Sequence, residues 1–201
     1  AMPDVKYAEL IDGVVYCMPS PVGLTHGDIH AFVNCWLTLY AADTPGTRSG
    51  LETTWVMGHR QVPQPDVHLR ILPEHGGQSS VEGGYATGAP ELIAEVTAST
   101  LSRDLGAKLE LYQGAGVREY VSVLPAQERI IWRQLLRGKY REVKPGPDGV
   151  LRSQVFPGLW LRPEAFWEGV RPMREALERG LQSPEHAAFV KKLATPRRRS
   201  R

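Results

Sequence analysis

Pro90-Glu91-Leu92-Ile93-Ala94-Glu95-Val96-Thr97, then residues 101–115, then residues 118–124, decide the fold of this chain. In the first stretch a period of two sets Leu92, Ala94 and Val96 on one face and Glu91, Ile93, Glu95 and Thr97 on the other, the pattern of a central strand. The second reads as a helix that stops near Gly114 and Gly116, and the third is another strand. Strand, helix, strand in this order is the layout of a parallel crossover.

Working outward, 7–12 and 14–18 read as two strands around Asp12-Gly13, a strong hairpin signal closed by Pro19 and Pro21. Thr25-x-x-Asp28 resembles an N-terminal cap, which predicts a helix to about Ala42 with His26, His30, Val33 and Leu37 on one face. A strand is expected over 53–57, and 64–71 alternates, with Gln64, Asp66, His68 and Arg70 on one side. The Gly-, Ser- and Pro-rich residues 73–88 read as a loop, and 129–135, 139–143 and 151–156 as a short meander. Pro163, Pro172 and Pro184 punctuate two or three short helices. The expected architecture is α/β: a mixed sheet flanked by helices, with an N-terminal hairpin and C-terminal short helices. One domain is expected over 1–196, with 162–196 as a helical extension and 197–201 as a basic disordered tail.

Length and composition fit a globular protein with a substantial core. No apolar run approaches the roughly 20 residues that span a bilayer, and Cys17 and Cys35 lack disulfide or CxxC spacing, so a cytoplasmic protein with reduced thiols is expected. Net charge is +2, but four arginines stand in the last five residues; without them 20 basic face 22 acidic groups. The body is therefore not a basic, nucleic-acid-coating surface, and attraction to phosphate has to come from a local groove or the tail.

Three charges stand in core-like contexts. Glu95 is flanked by Ala94 and Val96, Asp66 follows Pro65 at the mouth of a strand, and Lys108 shares a helical stripe with Leu101, Leu105, Leu109 and Tyr112. Ordinary readings exist for each: Asp66 as a turn acid, Glu95 paired with Arg103 or Arg118, Lys108 paired with Asp104 one turn back. Burying a charge without a partner is expensive, however, and a shared site explains all three at once. Two carboxylates on neighbouring strands suit Mg²⁺, and a lysine beside them can steady developing charge.

Glu9 is a candidate third carboxylate, weighed against an exposed strand-edge acid. His26 is a candidate for phosphate contact or proton transfer, weighed against a capping-region histidine. Thr97 either hydrogen-bonds the neighbouring carboxylate or serves as a β-former. Zinc motifs, Gly-rich phosphate loops and G-x-S-x-G are absent from the sequence.

The run Pro65-Asp66, Glu95-Val96, Ser99-Thr100-x3-Asp104-x3-Lys108-x3-Tyr112-x3-Gly116-Val117-x-Glu119-Tyr120 resembles a bacterial group of restriction-endonuclease-like proteins in the PD-(D/E)XK superfamily. Glu9-Leu10-Ile11-Asp12-Gly13, Met18-Pro19-Ser20-Pro21, His26, Gly88-Ala89-Pro90-Glu91-Leu92, Asp148-Gly149-Val150-Leu151-Arg152-Ser153 and Phe156-Pro157-Gly158-Leu159-Trp160-Leu161 also match. The resemblance implies a restriction-endonuclease-like core and Mg²⁺-dependent cleavage of nucleic acid, DNA in particular, with Mn²⁺ as a substitute metal, Asp66 and Glu95 as metal ligands and Lys108 as the catalytic cation. One departure stands out: Thr97 occupies the place of the strand lysine, which this group carries on the following helix at Lys108. The alternatives are a catalytically inactive module that binds nucleic acid or a protein partner, and an oligomer whose hairpin and Trp160 and Trp167 region form a homodimer surface.

Overall fold

The alternation of residues 91–97 becomes the middle of a six-stranded sheet. The computed structural model describes residues 8–17, 23–97 and 103–195, with the backbone alone at 103–105. The turn expected at 18–21, residues 98–102, the Asp104 side chain and the tail at 197–201 lie outside the described residues.

Along the chain, the hairpin β1 (Ala8–Ile11) and β2 (Val14–Cys17) precedes helix α1 (Leu24–Ala42). Then come β3 (Thr47–Leu51), β4 (Trp55–Val56), β5 (Val67–Ile71), β6 (Ser80–Glu82), β7 (Tyr85–Thr87) and β8 (Leu92–Val96). Helix α2 (Arg103–Ala115) leads to β9 (Glu119–Leu124), β10 (Arg129–Leu136) and β11 (Lys139–Glu142). The short strands β12 (Leu151–Arg152) and β13 (Trp160–Leu161) come before α3 (Pro163–Trp167), α4 (Val170–Leu181) and α5 (Pro184–Leu193).

The main sheet has the order β11-β10-β9-β8-β5-β3. β8 and β9 run parallel, joined through α2 as the crossover reading requires, and every other neighbouring pair is antiparallel. The two faces of β8 part as its alternation predicts. Leu92, Ala94 and Val96 join Val33, Trp36, Leu37 and Tyr40 of α1 in one apolar cluster, while Ile93 meets Leu111 and Tyr112 of α2 in another. Glu95 lies in phase with Ile93, and its side chain is therefore on the α2 side.

Several boundaries differ from expectation. β3 was missed because Thr-Arg-Ser-Gly-Leu shows no apolar alternation; it is an edge strand held by its ladder to β5. The expected loop over 73–88 contains β6 and β7, which pair antiparallel around Gly83-Gly84, while β7 pairs parallel with β4. Residues 151–156 do not extend the meander: β12 leaves the main sheet and pairs with β13. Helix α1 begins at Leu24 with Gly23 at its N-cap and no side-chain cap, so Thr25 lies one position inside it. No helix among the described residues is long and apolar enough to cross a membrane.

The C-terminal helices are bound to this core rather than appended loosely. Phe166, Met173, Leu177, Phe189 and Leu193 join the α1-side cluster, and the Trp36 indole N–H donates to the Trp160 carbonyl at 3.1 Å. Trp160 lies under the Arg152 guanidinium at 4.4 Å, and Trp167 packs edge-on against Phe166. Where α4 crosses the loop before β13, a Cβ on Gly180 would collide with the Gly158 carbonyl oxygen and stand 2.8 Å from the Trp160 ring. Gly180→Ala is therefore expected to lower stability by about 1–3 kcal/mol through overpacking, although alanine is the better helix former. Thermal denaturation checks this; an unchanged or raised melting temperature would contradict the close approach.

Candidate metal centre at the Asp66–Glu95 edge

β5 and β8 pair with Val67 opposite Ala94 and His68 opposite Ile93. One further step of this register sets Asp66 opposite Glu95. A hydrogen bond ties the same edge, with the Val96 N–H donating to Asp66 Oδ2 at 2.6 Å. Directly opposed like charges destabilise a sheet unless something of the opposite sign lies between or beside them.

Lys108 supplies that opposite charge. One face of α2 is turned onto the sheet, and the Lys108 ammonium lies 3.1 Å from Glu95 Oε1 and 3.1 Å from Glu9 Oε1. Glu9, Glu95 and Lys108 are 3%, 5% and 9% exposed, so this is an interior ion cluster. Tyr112, one helical turn beyond Lys108, donates its hydroxyl to the same Glu95 oxygen at 2.6 Å. The Gln64 N–H donates to Glu9 Oε1 at 2.7 Å. The hairpin reaches this position because Leu10 and Val62 exchange backbone hydrogen bonds.

Protonation follows the surroundings. Burial pushes the Glu9, Asp66 and Glu95 carboxyls above their usual range, each only partly offset by the Lys108 ammonium and by hydrogen-bond donors. Glu95 raises Glu9, and Asp66 raises Glu95, by like-charge repulsion. For Lys108 burial works against the charge, but Glu95, Glu9 and Asp66 outweigh it, and the ammonium is held well above its ordinary value.

Of the residues expected at a site, Asp66, Glu95, Lys108 and Glu9 come together. The expectation that Glu9 is a surface acid fails: its short strand presses one edge onto α2, and the carboxylate faces inward. Lys108 is turned towards Glu95 and Glu9. Arg118, an expected partner for Glu95, makes no ion pair with it among the described residues; Lys108 and Tyr112 take that place. His26 is half-buried, 6.1 Å ring to ring from His30, and its Nδ1 has no partner among the described residues. Burial and then His30 hold its pKa below the usual imidazole value, while Glu95 pulls the other way. Thr97 takes part through its backbone, donating to the Val123 carbonyl at 2.9 Å; its hydroxyl makes no hydrogen bond to Glu95 among the described residues. His68 is buried against Trp55, whose indole N–H donates to its Nδ1 at 3.4 Å, and burial pushes its pKa down to about 3. It is a neutral core histidine.

Three contributors had escaped notice as site residues. Tyr112 was legible as a stripe residue and as a position of the resemblance motif but not as a site residue, although its spacing of four from Lys108 puts the two side chains together. Gln64 acts through its backbone, which leaves no mark in sequence. His30 donates from Nε2 to the Asp66 carbonyl at 3.0 Å, bracing the strand end from the α1 side.

The oxygen donor set fits a hard divalent cation. Among the described residues, protein donors engage one oxygen each of Asp66 and Glu95, leaving the other as a candidate ligand. Among the described residues no three of His, Cys, Asp and Glu converge closely enough to enclose a metal by themselves. An ion there would take the two carboxylates and complete its shell with water and substrate oxygens, as Mg²⁺ commonly does.

A family model named Uma2, described as "Putative restriction endonuclease", matches residues 1–164. No curated protein matches the chain. Among solved structures, a chain described as a putative nuclease belonging to DUF820 from Anabaena variabilis superposes with a TM-score of 0.58 at 14% identity, covering 85% of this chain and 90% of that one. At that identity the likeness is one of fold.

Proposed function

The chain belongs to the Uma2 family of restriction-endonuclease-like proteins, and from this premise we propose that it is a Mg²⁺-dependent endonuclease hydrolysing phosphodiester bonds in DNA. The observation that carries the reading is a charge balance. Glu9 and Glu95 lie 3.1 Å from one ammonium, Lys108, and the half-buried Asp66 adds a third carboxylate whose charge Lys108 also feels, a formal charge of −2 that one divalent cation neutralises. When bound, such a cation polarises the phosphodiester and lowers the pKa of a water. Asp66 and Glu95 would hold it. Lys108, anchored from the hairpin by Glu9, keeps a fixed positive charge beside Glu95, where it can steady charge that develops on a phosphoryl oxygen. His30 and the Val96 N–H keep Asp66 in place.

Supercoiled plasmid with Mg²⁺, and the same reaction with chelator, tests this reading. Nicking that requires the metal and vanishes in Asp66→Ala and in Glu95→Ala, with the folded spectrum kept, is the expected result; cleavage surviving both substitutions would sink it. A non-catalytic module on the same fold was suggested by Thr97 in place of the strand lysine. Lys108, at 3.1 Å from Glu95, supplies the cation from the helix and favours the catalytic reading.

A further inference from the structure

The Glu95 carboxylate is treated asymmetrically. Its Oε1 receives two donors from residues one helical turn apart, the Tyr112 hydroxyl at 2.6 Å and the Lys108 ammonium at 3.1 Å. Among the described residues Oε2 receives none. Tyr112 is fully buried, and its ring packs edge-on against Tyr120 at 5.3 Å, so the phenol is held where it is. At Asp66 the same division holds: Oδ2 is taken by the Val96 N–H.

We propose that Tyr112 is a positioning residue for a hard divalent cation: it locks the Glu95 rotamer so that Oε2, not Oε1, is presented to the metal. The inference rests on the metal-dependent reading above. Lys108, held by Glu9 as well, is a point charge with rotatable donors and does not by itself fix the angle of the carboxylate. A buried phenol donates along one fixed direction and does. A single short hydrogen bond therefore keeps the oxygen bound by lysine apart from the oxygen offered to metal. Partners of this kind, which orient a ligand without touching the ion, typically matter by 10–100-fold in affinity.

The test is calorimetric titration of the full chain with Mg²⁺, and separately Mn²⁺, without nucleic acid, comparing the unaltered protein, Tyr112→Phe and Tyr120→Phe. Tyr112→Phe is expected to weaken metal binding about 10-fold. The metal concentration for half-maximal nicking should rise by the same factor, with kcat at saturating metal little changed. Tyr120→Phe, beside it but not bonded to Glu95, should leave metal affinity unchanged. Equal affinity in Tyr112→Phe and the unaltered chain overturns the inference. Equal weakening in both variants overturns it too, as a general loosening of the cluster. If the unaltered chain binds neither metal, the metal-dependent reading itself falls. Thermal denaturation of each variant establishes that the titrated protein is folded.

Discussion

Lys108→Met is expected to lower DNA cleavage by about 10²–10³-fold, the usual effect of removing one preorganised group that stabilises developing charge. It is also expected to lower stability by about 3–5 kcal/mol near neutral pH, because one member of a buried ion cluster is removed and the others remain. Methionine keeps the stem, so the loss reports on the ammonium. Among the described residues, Glu9 and Glu95 would be left with no cation within 4 Å. Their carboxyls, already raised by burial, can take up protons, so the penalty should shrink as the pH falls. Urea unfolding of both proteins at pH 5 and pH 8 measures this. Mg²⁺ should return part of the lost stability, since a ligand of the folded state stabilises by mass action. Unchanged stability in the variant would mean that the ammonium does not hold the acids together.

The second large effect concerns Glu119, far from the proposed chemistry. This carboxyl is fully buried at the start of β9, with Oε2 accepting from the Ser153 hydroxyl at 2.6 Å and Oε1 from the Gln154 N–H at 2.8 Å. Burial pushes its pKa up from 4.5 to about 7 against the pull of these donors. The folded state therefore binds a proton that the unfolded chain has released between those values. Stability from this group is fully present below pH 4.5 and is lost as the pH rises through about 7. The change amounts to about 3 kcal/mol at roughly 1.4 kcal/mol per unit. Glu119→Gln, which keeps an acceptor but cannot ionise, should flatten the stability profile by that amount between pH 4.5 and 8. Parallel profiles for the two proteins would refute the assignment.

Legibility in the sequence followed the range of the interactions. The crossover from Leu92 to Leu124 was readable because its period-two and helical patterns are local, and Asp12-Gly13 announced its hairpin for the same reason. Lys108 could be placed on the sheet side of its helix from spacing alone. Glu9 could not be placed, because its burial depends on where the hairpin docks, through Leu10 and Val62. Glu91 and Glu119 were opaque in the same way. Each uses its carboxylate to satisfy backbone N–H groups of other segments: Ile71 at the end of β5 and Gln78 for Glu91, Gln154 for Glu119. A carboxylate that serves another segment's backbone looks, in sequence, like any strand acid. β3 was invisible because an edge strand with one side open need not be apolar.

The pairing of β5 with β8 has one more consequence. The separation of Asp66 from Glu95 is set by hydrogen-bonded backbone, not by the choice of side chain, so the two acids meet only when the strands are aligned as they are. A slip of a single residue would carry one of them through the sheet to the greasy side beneath α1, among Val33 and Leu37. Correct folding and the capacity to gather two acids at one edge are thus the same event. A misaligned chain would lack the site altogether rather than hold a weakened version of it.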